Sequence, residues 1–288
     1  MRWAWMAVAA MMAQGGAAVA EKPGQQAPLE LERNGKWVLR QEDDSCQLSG
    51  SFGADEQKVM LRLIEFGPDG GAEIQLIGKP MISYVTFNPI AMGVGVQPVQ
   101  EVFAIAGKVG VGQASYPLLV AQGDGMGLGA GHGALAAAES LTVKTPTKGW
   151  MRLKLGKMVE PVAALEQCNA AMVRDWGYDP QAMAGWISGP RPQVSPALWL
   201  RPSEFSQRGV VVPMLEQVHV RLDVDAAGAV AGCHVQMATK PDDYSEKVCA
   251  LISQRAKFTP ALDAKGQPVA GFSLQSVEIR SGMRIRPY

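Results

Sequence analysis

Three prolines within the eight residues Gly189-Pro190-Arg191-Pro192-Gln193-Val194-Ser195-Pro196 constrain this chain more than any other feature. Each proline fixes its own φ and lacks a backbone N–H, so neither a helix nor a central strand is expected to cross the stretch. An extended linker over 189–196 is the natural reading. It divides the chain into residues 30–188 and 197–288, and each part has a length that one hydrophobic core organises.

The start of the chain reads as an export leader. Arg2 precedes an uncharged apolar stretch from Trp3 to Ala13, and Ala18-Val19-Ala20 offers the small-x-small pattern at which signal peptidase cuts. The apolar stretch is too short for a spanning helix, so residues 1–20 are expected to be removed, leaving Glu21 first. An uncleaved membrane anchor is the competing reading. Residues 21–29 are polar, contain Pro23, Gly24 and Pro28, and read as a flexible lead-in. No later apolar run is uninterrupted, so no membrane-spanning segment is expected in the mature chain.

Cysteine usage agrees with export. Cys46, Cys168, Cys233 and Cys249 form an even set that pairs in an oxidising compartment, with three possible connectivities. Zinc is disfavoured, because no two cysteines stand two to four residues apart and His132 and His219 are remote from them. No cofactor is expected. The 27 acidic and 27 basic residues balance, which argues against nucleic acid as a partner.

Residues 30–188 begin as antiparallel β structure, with short strands over Trp37–Leu39, Gln47–Phe52, Lys58–Phe66 and Glu73–Ile77 and a turn at Gly67-Pro68-Asp69-Gly70-Gly71. Six glycines in the eleven positions Gly123 to Gly133 mark a loop. A helix is predicted from Pro161 to Trp176, where Val162, Leu165, Met172 and Val173 fall at helical spacing and Gly177 stops it. Cys168 lies on or beside its apolar face and is the natural partner of Cys46. Such a bond closes a long loop and is worth roughly 4 to 5 kcal/mol before strain.

From Leu215 the pattern sharpens. Val218, Val220, Leu222 and Val224 alternate with His219, Arg221 and Asp223, which predicts a strand with one buried face. Asp225-Ala226-Ala227-Gly228 turns the chain into a second strand over Ala229–Met237. Tyr244, Val248, Leu251, Ile252 and Ala256 then repeat at helical spacing, and Gly271–Ile279 supplies a third strand, giving the order β-β-α-β.

These residues resemble the TonB C-terminal family. The resemblance rests on the turn closed by Gly228, on strand and helix positions Cys233 and Cys249, and above all on the run from Arg255 to Val269. That run carries Arg255, Phe258, Pro260 and Ala261 in an Arg-x-x-Phe-x-Pro-Ala pattern, then Asp263, Gly266 and Pro268 in the turn that follows. It covers about a third of the chain. The resemblance implies a Cys233–Cys249 bond worth about 3 kcal/mol. It also implies a module that binds other envelope proteins, an outer-membrane receptor among them, by strand addition at a sheet edge. The cleavable leader and short linker argue against a membrane-anchored energy transducer.

Enzymatic constellations are weak. His132 stands in Gly129-Ala130-Gly131-His132-Gly133, but no Gly-x-Ser-x-Gly occurs, and a lone histidine in a glycine loop reads as incidental. Gly123 to Gly129 lacks the ending of a phosphate-binding loop. Asp43-Asp44 are neighbours whose side chains diverge on a strand, Asp242-Asp243 already has a helix-start role, and His234, alternating with Cys233, reads as a solvent or edge residue. Trp176, Trp186 and Trp199 read as packing between the two halves.

The fold class expected is therefore α+β. It comprises an N-terminal, mainly antiparallel β domain ending in a helix, then a TonB-like β-β-α-β domain with an antiparallel three-stranded sheet. The function expected is a non-enzymatic binding protein of the Gram-negative periplasm, linked to outer-membrane transport. The alternative is an envelope hydrolase or ligand-binding protein that its C-terminal part docks to a partner.

Overall fold

The computed structural model describes residues 27–68, 72–122, 132–205, 215–236 and 242–280. The expected leader, most of the lead-in, residues 69–71 of the first turn and residues 123–131 of the glycine loop lie outside them, as do the side chains at 242 and 243.

The first half is a closed barrel. Its strands are β1 (Leu29–Gln41), β2 (Cys46–Phe52), β3 (Val59–Glu65), β4 (Ala72–Ile77), β5 (Phe87–Val94), β6 (Gln100–Val111), β7 (Ala114–Gln122), β8 (Ser140–Thr145) and β9 (Gly149–Lys154). Around the wall they run β1-β2-β3-β4-β7-β6-β5-β8-β9. Period-two patterning makes these strands. On β2, Cys46, Leu48 and Phe52 are buried while Gln47, Ser49 and Ser51 between them are half-buried. After β4 the chain leaves the wall, and the β5-β6-β7 meander brings β7 back beside β4. Closure comes from β1 and β9, which pair in parallel from Leu29 opposite Met151 to Glu32 opposite Lys154. Outward ion pairs flank that seam, Arg152 to Glu30 and Lys154 to Glu32, each at 2.9 Å.

Helices α1 (Gly133–Ala136), α2 (Val159–Asp175) and α3 (Pro180–Ala184) follow the loop and the last barrel strand. The apolar stripe of α2, Val162, Leu165, Cys168 and Met172, joins the barrel core. Cys46 is bonded to Cys168 across 122 residues.

The second half contains β10 (Arg191–Pro192), β11 (Leu215–Val224), β12 (Val230–Gln236), α4 (Asp242–Arg255), β13 (Phe258–Thr259), β14 (Ala261–Leu262), β15 (Pro268–Val269) and β16 (Gly271–Arg280). Strands β12, β11 and β16 lie side by side in that order. Val218, Val220, Leu222 and Val224 pack with Val248 and Ile252 of α4 and with the fully buried Trp199. Cys233 is bonded to Cys249 across 16 residues. The turn into β12 is an Asx turn, in which Asp225 Oδ1 accepts from Ala227 N and Ala229 N. Gly228 closes it at φ +81°, and a Cβ there would sit 2.1 Å from the Phe258 carbonyl oxygen.

The α+β expectation is corrected by this architecture. The chain is mostly β, dominated by the closed nine-stranded barrel, with four helices among the described residues, of which α1 and α3 are one turn or little more. The strands of the first half do not form an open sheet, because β1 and β9 remove its edges by pairing with each other. Nor does the later sheet form a free TonB-like unit with one solvated face. Its polar face lies against the barrel. The proline stretch is itself pinned: Arg191 and Pro192 pair with Thr259 and Phe258, and Gln193 N donates to Lys257 O at 2.8 Å. Among the described residues, no helix is long and apolar enough to cross a membrane.

Candidate functional site

The side of β11 opposite its valines carries His219, Arg221 and Asp223, and these residues build the seam with the barrel half. His219 stacks on buried Phe66 with ring centroids 3.9 Å apart, and its Nε2 lies 3.7 Å from Glu73 on β4. On β12, His234 Nε2 is 2.7 Å from Asp44 Oδ1, while Gln236, itself 3% exposed, donates to the Phe66 carbonyl at 2.8 Å. Phe272 of β16 meets the edge of Trp176, over which the Arg221 guanidinium stands at 4.8 Å. The Tyr178 hydroxyl lies 3.1 Å from Asp223 Oδ1 and 3.2 Å from Gly271 O. Burial, followed by the Asp223 carboxylate, pushes that phenol well above its ordinary pKa. At Gly67, φ is +131°, and a Cβ would press to 2.7 Å from both Leu274 and Trp176. Glycine is what lets the two halves close here.

Beside this seam the surfaces part and leave a cavity of about 700 Å³, within the range of ligand sites. Its walls come from the end of β3, from α2, from the segment around Trp186 to Pro190, and from Phe272 to Gln275 of β16. One end is polar. Glu65, 4% exposed at the last position of β3, receives His132 Nε2 at 2.8 Å on Oε1 and the Asn169 amide nitrogen on Oε2. His132 Nδ1 is 3.1 Å from Glu166 Oε1. The Glu65 hydrogen bond, reinforced by its charge and by Glu166, holds the His132 pKa above its ordinary value against the opposing effect of burial. A carboxylate accepts only, so Asn169 must turn its NH2 toward Glu65. Its carbonyl oxygen then stays buried with no hydrogen-bond partner among the described residues.

Both imidazole nitrogens of His132 are engaged with carboxylates, Nε2 with Glu65 and Nδ1 with Glu166. All four cysteines are in disulfides. The other walls are largely apolar, with Val173, Met183, Trp186, Ile187 and Leu274 among the lining.

None of the residues that carry the TonB-like resemblance lines the cavity, whereas His132, Trp186 and Pro190, singled out on other grounds, do. The resemblance residues build the frame behind it. Arg255 donates to the Trp199 carbonyl at 2.6 Å and clasps both Glu204 oxygens, and this hydrogen bonding holds Glu204 down to about 2. Phe258 and Ala261 are buried, Pro260 is half-buried beside the Gly228 turn, and Asp263 Oδ1 accepts from Lys265 N and Gln267 N in a second Asx turn. Gly266 completes that turn at φ +76°, and Pro268 pairs with Leu262. Cys233 and Cys249 tie β12 to α4. His234 is exposed on the edge strand β12, the solvent or edge position the sequence suggested, and there it also reaches Asp44 of the barrel half. Trp176 and Trp186 lie along the seam and cavity, while Trp199 is buried in the second core.

Sequence reasoning missed Glu65, Glu166 and Asn169, and read His132 as incidental. One signal was present: Asn169 interrupts the apolar stripe of α2 between Leu165 and Met172. Comparison with protein-family models, with curated proteins and with solved structures finds no match.

Proposed function

We propose that the chain is an exported protein of a Gram-negative envelope that binds an extended segment of another envelope protein along the outer edge of β16. The observation that carries this reading is the placement of Phe272 to Gln275. These four consecutive residues belong to a strand that, among the described residues, pairs with β11 alone, and they border the cavity. An edge strand offers unpaired N–H and C=O groups to an incoming strand, and a cavity beside it takes that strand's side chains. The leader-like opening and the two disulfides support an oxidising compartment outside the cytoplasm. The similarity of the Arg255 to Val269 run to the TonB C-terminal family supports a role in binding envelope partners, linked to outer-membrane transport. A second reading, a small-ligand site docked by the C-terminal half, is favoured by the buried Glu65–His132 pair at the same cavity.

The test places a photo-crosslinking residue at Gln275 in the producing cells, with Lys265, on an exposed turn, as control. The expected result is a mature chain beginning at Glu21 and a Gln275-specific adduct to an extended segment of an envelope protein. Proline at 273 or 274 removes an N–H from the open edge in one case and from the β11 ladder in the other. The variant that keeps wild-type thermal stability is expected to lose the adduct. A retained Met1, or an adduct indifferent to that variant, overturns the reading.

A further inference from the structure

The charges of the cavity say what its occupant carries. Two carboxylates, Glu65 and Glu166, stand at its polar end against one imidazole, and no lysine or arginine is among the described residues that line it. With His132 protonated the end still holds a net negative charge. With His132 neutral it holds two. Glu65 is 4% exposed, in surroundings that screen a charge far less than water does. The Asn169 carbonyl oxygen is an independent sign. Asn169 is 2% exposed and lines the cavity, its amide orientation is fixed by Glu65, and its buried oxygen is an acceptor without a donor among the described residues. Such a group costs free energy until a donor arrives. Every polar demand at this end is therefore for N–H groups and positive charge. Trp186 is also in the lining, and an indole attracts a cation placed over its face.

We propose that the cavity takes the basic side chain, lysine or arginine, of the extended segment that adds to β16. The cation lies at the Glu65–Glu166–Asn169 end while the side-chain stem runs along the apolar wall formed by Val173 and Leu274. The strand itself rests on the edge-binding reading above; the basic side chain rests on the cavity.

The two are separable by calorimetry on the mature, disulfide-bonded chain with three probes. The first is a blocked heptapeptide of threonine, valine and serine around a central arginine. The second is the same peptide with citrulline, which keeps the shape and loses the charge. The third is agmatine, a guanidinium joined to an ammonium by a short alkyl chain, without a strand. The arginine peptide is expected to bind roughly tenfold more tightly than the citrulline peptide, as a charge-assisted hydrogen bond predicts. Glu166→Gln, at a half-exposed position that leaves the fold unstrained, is expected to close most of that gap. Equal affinity for the two peptides overturns the cation and leaves strand addition standing. Binding of agmatine alone, weakened by Glu166→Gln, overturns strand addition and with it the peptide as the source of the cation. Binding of no probe overturns both.

Discussion

The barrel half and the C-terminal half each hold one disulfide and one hydrophobic core, yet they are organised on different scales. The barrel is closed by contacts between its ends, with β1 on β9 and Cys46 on Cys168 across 122 residues. The C-terminal half is held by short-range devices: Asx turns at Asp225 and Asp263, a 16-residue disulfide, and the Phe258 N–H donating back to the Gly228 carbonyl at 3.1 Å. Local devices leave local marks in a sequence. Closure leaves none, because the cost of bringing distant segments together grows only slowly with their separation and no single residue carries it.

Removal of the two disulfides is the sharpest way to break this comparison. The pair Cys46→Ser with Cys168→Ser is expected to cost about 4 to 5 kcal/mol of unfolding free energy, and Cys233→Ser with Cys249→Ser about 3 kcal/mol, as read from denaturant midpoints. Equal losses sink the contrast between long-range and local closure.

Next in size are the two turn glycines of the C-terminal half. Gly228→Val adds left-handed strain to a clash with the Phe258 backbone and is expected to cost about 3 kcal/mol or more. Gly266→Ala has a similar φ, but the nearest atom to its Cβ is the Ile187 side chain at 3.9 Å, so about 1 kcal/mol is expected. A comparable loss at both sites, measured by urea unfolding, removes the claim that Gly228 is held by the Phe258 contact.

The seam between the halves is tested by Tyr178→Phe, which removes the hydroxyl shared by Asp223 and Gly271. A loss of about 1 kcal/mol is expected, together with faster hydrogen exchange at the start of β16. Unchanged exchange there shows that the seam holds without this contact.

The smallest effects are pH dependences of opposite sign. The folded pKa of His132 is raised, so its contribution is complete below the ordinary imidazole value and is lost as pH rises through the folded value. Wild type is therefore expected to lose stability relative to His132→Gln as pH rises above the ordinary imidazole value. The folded pKa of Glu204 is depressed to about 2, so its contribution is present above the ordinary carboxylate range and is lost as pH falls toward 2. Glu204→Gln is expected to flatten the acid limb and leave the alkaline limb unchanged. Reversal of either sign breaks the assignment of that pair.

Much of the local structure was legible. Alternation at Val218 to Val224 marks β11, helical spacing marks α2 and α4, and the Asp-x-x-Gly turns follow from the chemistry of aspartate and glycine. The candidate site was barely legible. Glu65 looks like any charged strand residue, and His132 and Asn169 stand 67 and 104 residues from it in sequence. The polar face of β11 gave a misleading sign, since His219 and Arg221 suggest water where the structure has Phe66, Glu73 and Trp176.

The sequence by itself determined β1 to β4, β11, β12, β16, α2 and α4 with their turns, but left β5 to β9 unmarked, because these readings follow from side-chain periodicity and the backbone preferences of single residues. Only the tertiary structure decided that nine strands close into a barrel, that the sheet turns its polar face inward, and that Glu65, His132 and Asn169 meet beside the edge of β16. Those outcomes depend on which distant surfaces fit one another, and complementarity belongs to pairs of surfaces that no single stretch of sequence contains.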